Sequence, residues 1–134
     1  MPSDNVELIR RGYESFNRGD LDDVFALLDP EIEWVTADRV PFAGTYRGHD
    51  DVRGLLRDQQ EVFGEITMEP YELFEKGDKV VAFVRQRARG HASGAEIEIV
   101  VGHLWTVRDG RAVRFEGFPE REKALEAADL PPRR

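Results

Sequence analysis

Arg85, Arg87 and Arg89 stand at alternate positions, and after the turn-like stretch His91-Ala92-Ser93-Gly94 the acids Glu96 and Glu98 do the same. Side chains along a strand alternate faces with a period of two. The pattern therefore reads as two antiparallel strands, 79–90 and 95–108, with Arg89 opposite Glu96 and Arg87 opposite Glu98. A slip of one residue sets those arginines opposite Ala95 and Ile97 and turns every side chain to the other face. Opposite charges across a ladder favour the first register by about 0.2–1 kcal/mol per pair. In that register one face carries Val80, Ala82, Val84, Gln86 and Ala88 beside Trp105, His103, Val101, Ile99 and Ile97. This apolar face is expected to be concave and covered by helices, with the arginines outside and held by glutamates.

The rest of the chain supplies that cover. Val6, Ile9, Tyr13 and Phe16 recur at helical intervals behind Asp4 and Glu7, and Asn17-Arg18-Gly19 ends the helix. Asp20 can cap a second, short helix that Asp29-Pro30 stops. Ile32 to Thr36 alternates as a strand, residues 37–48 look irregular, and Asp50 opens a third helix striped by Val52, Leu55, Leu56, Gln59 and Phe63. Further strands are expected near 66–76 and 111–118, with turns at Lys76-Gly77-Asp78 and Asp109-Gly110, and a final short helix after Pro119. Helices first and a strand meander afterwards is an α+β order. The expected architecture is a curved antiparallel sheet forming a cone covered by three N-terminal helices, plus a short C-terminal helix. At 134 residues this is one domain, 1–134.

Composition removes several function classes. There is no cysteine, so disulfides, thiolate zinc sites and thiol nucleophiles are excluded. A net charge of −8 offers no basic field for nucleic acid. The start lacks a signal-peptide pattern and no apolar run approaches the roughly 20 residues of a membrane span, so a cytoplasmic location without membrane association is expected. The three histidines show no spacing that makes a metal site with nearby carboxylates, and no phosphate-cradling or dinucleotide glycine motif occurs. Neither metal nor cofactor is expected.

His103 is the ionisable exception on the inner face, among Val101, Trp105 and Ala82. An apolar wall with one such group is the general pattern of a ligand site, although a histidine satisfied inside a core would give the same sequence. Trp34 and Thr36 alternate onto one face of the first strand, Phe42 and Tyr46 lie in the adjacent loop, and Phe115 is on the last strand. With Trp105, these five residues could close a pocket for a small hydrophobic molecule. His49 reads as a capping or solvated residue and His91 as a solvated turn residue.

The segment Tyr13-Glu14-Ser15-Phe16-Asn17-Arg18-Gly19-Asp20-Leu21-Asp22, then Leu27-Leu28-Asp29-Pro30-Glu31-Ile32-Glu33-Trp34, resembles the opening of SnoaL-like proteins of the nuclear transport factor 2-like superfamily. Tyr46-Arg47-Gly48 and the stretch from His103 to Arg111 continue the likeness over nearly the whole chain. The resemblance implies the cone fold and a two-fold homodimer through the outer sheet face, where the Arg/Glu ladder lies. It leaves function open, since such folds host isomerases, polyketide cyclases, dehydratases, epoxide hydrolases and non-enzymatic members. Carried over from ketosteroid isomerases, the helical Tyr position falls on Gly12, with Tyr13 one residue off; the base position falls on Thr36 and the late acid on His103. Isomerase machinery as such is thus absent. The SnoaL-type cyclases imply acid–base groups of His and Asp type, which points to His103 as base or donor and to Asp38 as a carboxylate if its loop folds inward. The leading expectation is cofactor-independent proton transfer on a hydrophobic carbonyl substrate. Its alternative is a non-catalytic binding or dimerisation module.

Overall fold

The structure, a computed structural model, describes residues 4–36, 42–90 and 94–132. The elements run α1 (Asp4–Asn17), α2 (Leu21–Leu27), β1 (Leu28–Thr36), β2 (Gly44–Arg47), α3 (Gly48–Phe63), β3 (Glu65–Lys76), β4 (Lys79–Arg89), β5 (Glu96–Arg108), β6 (Arg111–Phe118) and α4 (Arg121–Ala127). In α1, Ile9 and Tyr13 lie one turn apart and are buried together. The helix stops at Gly19, whose φ of +78° lets the chain turn so that the Asp20 N–H reaches the Ser15 carbonyl at 2.9 Å. Asp20 then accepts the Asp23 N–H at 3.1 Å and caps α2.

Strand β1 begins at Leu28, straight after α2 and four residues before the expected start at Ile32. Pro30 still terminates the helix, but it sits within the strand. The β1–β6 register shifts between Leu28 and Glu33, and this irregularity accommodates a residue that has no N–H to donate. The expected loop 37–48 contains β2, which pairs Tyr46 with Trp34 and Thr45 with Val35. The third helix starts at Gly48 rather than Asp50, with the Arg47 N–H donating to Asp51 Oδ2 at 3.2 Å. The last helix starts at Arg121, two residues beyond Pro119.

The sheet is open, with strand order β2-β1-β6-β5-β4-β3. It is antiparallel except for β1 and β6, which run parallel and so bring the first strand beside the last. In the β4–β5 hairpin Arg89 faces Glu96, Arg87 faces Glu98 and Ala82 faces His103, the register read from the charges. Arg87 Nε lies 2.7 Å from Glu98 Oε1, and Arg85 Nη1 lies 2.9 Å from Glu69 Oε1 on β3. All three arginines are on the outer face.

Helices cover both faces rather than one. α1, α2 and α3 close the concave face, packing Ile9, Phe25, Val52 and Leu56 with Val80, Val84 and Trp105. α4 lies on the convex face, where Ala124 and Leu125 pack with Val81, Phe83 and Leu104. Gly102 permits this approach: a Cβ there would stand 2.9 Å from the Ala124 Cβ and 3.0 Å from the Arg121 Cα. The concave cover is shorter than expected. Ile97 and Ile99, on the β5 side of the hairpin, share the face of His103, yet they are 60% and 49% exposed. Among the described residues no helix is long and apolar enough to cross a membrane.

Candidate functional site

Strand register lays two adjacent rows across the concave face. Tyr46, Trp34, Phe115, Trp105 and Val80 pair successively from β2 to β4. The aromatic members pack directly: Trp34 stacks on Phe115 with centroids 4.0 Å apart, and Trp105 meets Phe115 at 4.6 Å and Trp34 edge-on at 5.6 Å. The neighbouring row is Gly44, Thr36, Gly117, His103 and Ala82. Apart from His103, it is small where the first is large. Gly117 and Ala82 flank His103, so the imidazole has no bulky cross-strand neighbour, while the Phe115 ring leans over Gly117 at 3.3 Å from where a Cβ would be.

α1 completes the arrangement. The Tyr13 hydroxyl lies 2.6 Å from His103 Nδ1 and 3.0 Å from Trp105 Nε1, and all three residues are buried. An indole N–H can only donate, so the Tyr13 oxygen accepts from Trp105 and its proton goes to His103. Nδ1 therefore accepts, and the imidazole proton resides on Nε2. Among the described residues Nε2 has no protein partner, and none of their buried side-chain polar atoms is left without one. His103 itself lines the cavity. Burial pushes the His103 pKa from 6.5 down to about 3, because desolvation penalises the imidazolium. Burial likewise raises Tyr13 well above the usual phenol range, only partly offset by the Trp105 hydrogen bond. Both groups are held neutral.

These groups border a cavity of about 300 Å³, at the lower end of the range for small-molecule sites. His103, Trp105, Trp34, Thr36 and Phe115 all line it. Phe42 and Tyr46 do not: the Tyr46 hydroxyl is turned to the Phe42 carbonyl at 2.8 Å, and the Phe42 ring packs edge-on to Phe63. They lie at the sheet edge instead, where Tyr46 shares the concave face with Trp34 but stops short of the cavity. Asp38 and His91 lie outside the described residues. His49 is half-buried and does not cap α3; its Nε2 lies 2.9 Å from the Leu28 carbonyl and its ring packs against Phe25. No carboxylate lines the cavity among the described residues, and no group of three potential metal ligands occurs among them.

A family model described as the SnoaL-like domain matches residues 9–115, a span that includes α1, the aromatic row and His103. The chain belongs to the SnoaL-like family. This SnoaL-like chain is also 29% identical over 116 residues to an uncharacterized protein of Mycobacterium tuberculosis, covering 85% of the one and 87% of the other. An NTF2-like protein of unknown function from Burkholderia pseudomallei is 30% identical with a TM-score of 0.80, covering 93% of this chain and 97% of that one. TerC, in a structure co-crystallized with polyporic acid, is 28% identical with a TM-score of 0.80, covering 95% and 99%. The fold is therefore NTF2-like.

Sequence reasoning missed Tyr13 as a member of this SnoaL-like site. Its place in the apolar stripe of α1 already turned it toward the sheet, and a buried hydroxyl requires a partner. Counting from the isomerase pattern placed the equivalent position at Gly12, which also lines the cavity, so the one-residue offset obscured it. Two further polar liners, Gln59 on α3 and Gln86 on β4, stood on the expected inward faces without being read as site residues.

Proposed function

We propose that this chain binds a small, mainly apolar molecule carrying a carbonyl or enolic oxygen, and that His103 Nε2–H donates a hydrogen bond to that oxygen. The observation carrying this reading is the directed chain Trp105 to Tyr13 to His103, which ends in a neutral imidazole that lines an aromatic-walled cavity. Such a donor strengthens as negative charge develops on the acceptor, and low dielectric enlarges the effect. It suits isomerase- or cyclase-like proton transfer beside a carbonyl, where an enolate oxygen forms. His103 is poorly suited to be the base, because Nε2 already carries a proton and its conjugate acid has a pKa of about 3. Of the two roles expected for it, donor is the one proposed; Asp38 is proposed as the proton acceptor. TerC, co-crystallized with polyporic acid, supports a small organic ligand in a fold of this kind.

A non-catalytic carrier is the second reading, favoured by the absence of a carboxylate among the described cavity-lining residues. Both tryptophans of the chain, Trp34 and Trp105, line the cavity, so intrinsic fluorescence reports occupancy without a label. Titration with polyporic acid and a panel of cyclic ketones should quench that emission. His103→Phe should weaken ketones by about five- to tenfold relative to their deoxygenated analogues, the loss of roughly one neutral hydrogen bond. Equal weakening of ketone and hydrocarbon would rule out the donor role. Asp38→Asn separates the two readings: lost turnover with retained binding means an enzyme, and no turnover in the unmutated chain across the panel leaves a carrier.

A further inference from the structure

The cavity has a second polar end. On β4, Gln86 pairs with Met68 on one side and Ile99 on the other, and its neighbours on the same face are Val84 and Ala88. Its primary amide is thus set in an apolar surround and lines the cavity. Gln59 lines the same cavity from α3, one turn before Phe63. The helix reaches this end of the sheet because Gly64, with φ of +85°, lets α3 pass directly into β3. A Cβ on Gly64 would lie only 1.8 Å from the Arg89 carbonyl oxygen. The C-terminal turn of α3 and the hairpin end of β4 are held together there. Among the described residues neither Gln59 nor Gln86 makes a side-chain hydrogen bond to protein, unlike Tyr13, His103 and Trp105, which satisfy one another.

The separation of the two ends follows from register. Gln86 is opposite Ile99, four residues along β5 from His103. At about 3.3 Å per residue this is roughly 13 Å of strand. Between the ends the wall is aromatic or aliphatic. Ile97 and Ile99, exposed and lining the cavity, mark the glutamine end as its mouth.

We infer that Gln59 and Gln86 form a distal subsite that recognises a second, uncharged polar group of the ligand. This rests on the cavity being a ligand site, as proposed above. A primary amide offers both a donor and an acceptor without charge, which matches a hydroxyl or phenol better than a carboxylate. The ligand class is then an elongated molecule of two or three linked or fused rings, with a carbonyl oxygen at the His103 end and a hydroxyl at the mouth. A ligand that is apolar at the mouth end buries two amides without partners and is selected against.

Flavone and 4′-hydroxyflavone form a matched pair of probes, differing in one distal hydroxyl, and tryptophan quenching reads their affinities. 4′-Hydroxyflavone should bind about five- to tenfold more tightly. Gln86→Leu or Gln59→Leu should abolish that ratio by strengthening flavone and weakening its hydroxylated partner. Both variants are close in size to the original and are checked by thermal melting before titration. Equal affinity of the two flavones for the unmutated chain overturns the subsite while leaving the cavity reading intact. So does a preference that survives both leucine variants. Failure of both flavones and of polyporic acid to quench overturns the cavity reading and the subsite together. In His103→Phe the hydroxyl preference should persist although both affinities fall, which distinguishes the two ends.

Discussion

Lowering the pH from 7 to 5 should destabilise this protein through His103. Its pKa is about 3 when folded and 6.5 when exposed, so between those values the unfolded chain binds a proton that the folded chain does not. Stability therefore rises with pH across this window. The contribution is complete above the unfolded value and is lost progressively as pH falls from about 6.5 toward 3. One pKa unit corresponds to about 1.4 kcal/mol. With an unfolded value of 6.5, the loss between pH 7 and pH 5 is about 2 kcal/mol, a substantial share of the 5–15 kcal/mol typical of a domain. For 134 residues, an unfolding entropy of about 2.1 cal/mol/K per residue gives roughly 0.28 kcal/mol/K at the midpoint. The melting temperature should consequently fall by about 7 °C. Tryptophan-fluorescence melts at pH 7, 6 and 5 measure this directly, with most of the drop expected between pH 6 and 5. His103→Gln is the control, because its amide oxygen can still accept the Tyr13 hydroxyl but does not titrate. Its melting temperature should be nearly flat over the same interval. The same slope in His103→Gln and the unmutated chain would refute the assignment of this proton to His103.

Tyr13→Phe removes the hydroxyl joining Trp105 Nε1 to His103 Nδ1 and strands two buried polar atoms. It should cost about 2–4 kcal/mol in urea unfolding at unchanged m-value, and a loss under 0.5 kcal/mol would mean that the contact carries little. Gly102→Val places branched carbons where Ala124 and Arg121 already stand, so about 1–3 kcal/mol should be lost. Hydrogen exchange should locate that loss in α4 and the convex core, while the tryptophan emission of the concave side stays unchanged.

The β4–β5 register was legible because the arginine and glutamate ladder is local: its partners are separated by one turn, and alternation alone fixes which side chains share a face. That parity placed Trp105 and His103 inward and the arginines outward. Hydrophobic spacing identified α1 and α3, and Asp20 and Gly19 marked the boundary before α2. β2 was not legible, being four residues long with both Gly44 and Tyr46 in it; its strand state comes from the exposed edge of β1, which lies elsewhere in the chain. That pairing sets Tyr46 opposite Trp34 on the concave face, but at the sheet edge beyond the cavity lining.

The sequence by itself determined the order of elements, the inward face of the sheet and hence the candidacy of His103. Tertiary structure decided what that histidine can do. Residue 13 approaches residue 103 only when α1 crosses the concave face, and that meeting sets the tautomer while burial under the helix holds the ring neutral. The parallel β1–β6 pairing, set by long-range closure, brings Trp34 and Thr36 to the same wall. Periodicity records how a segment faces a layer; which groups meet across that layer depends on packing between segments far apart in the chain.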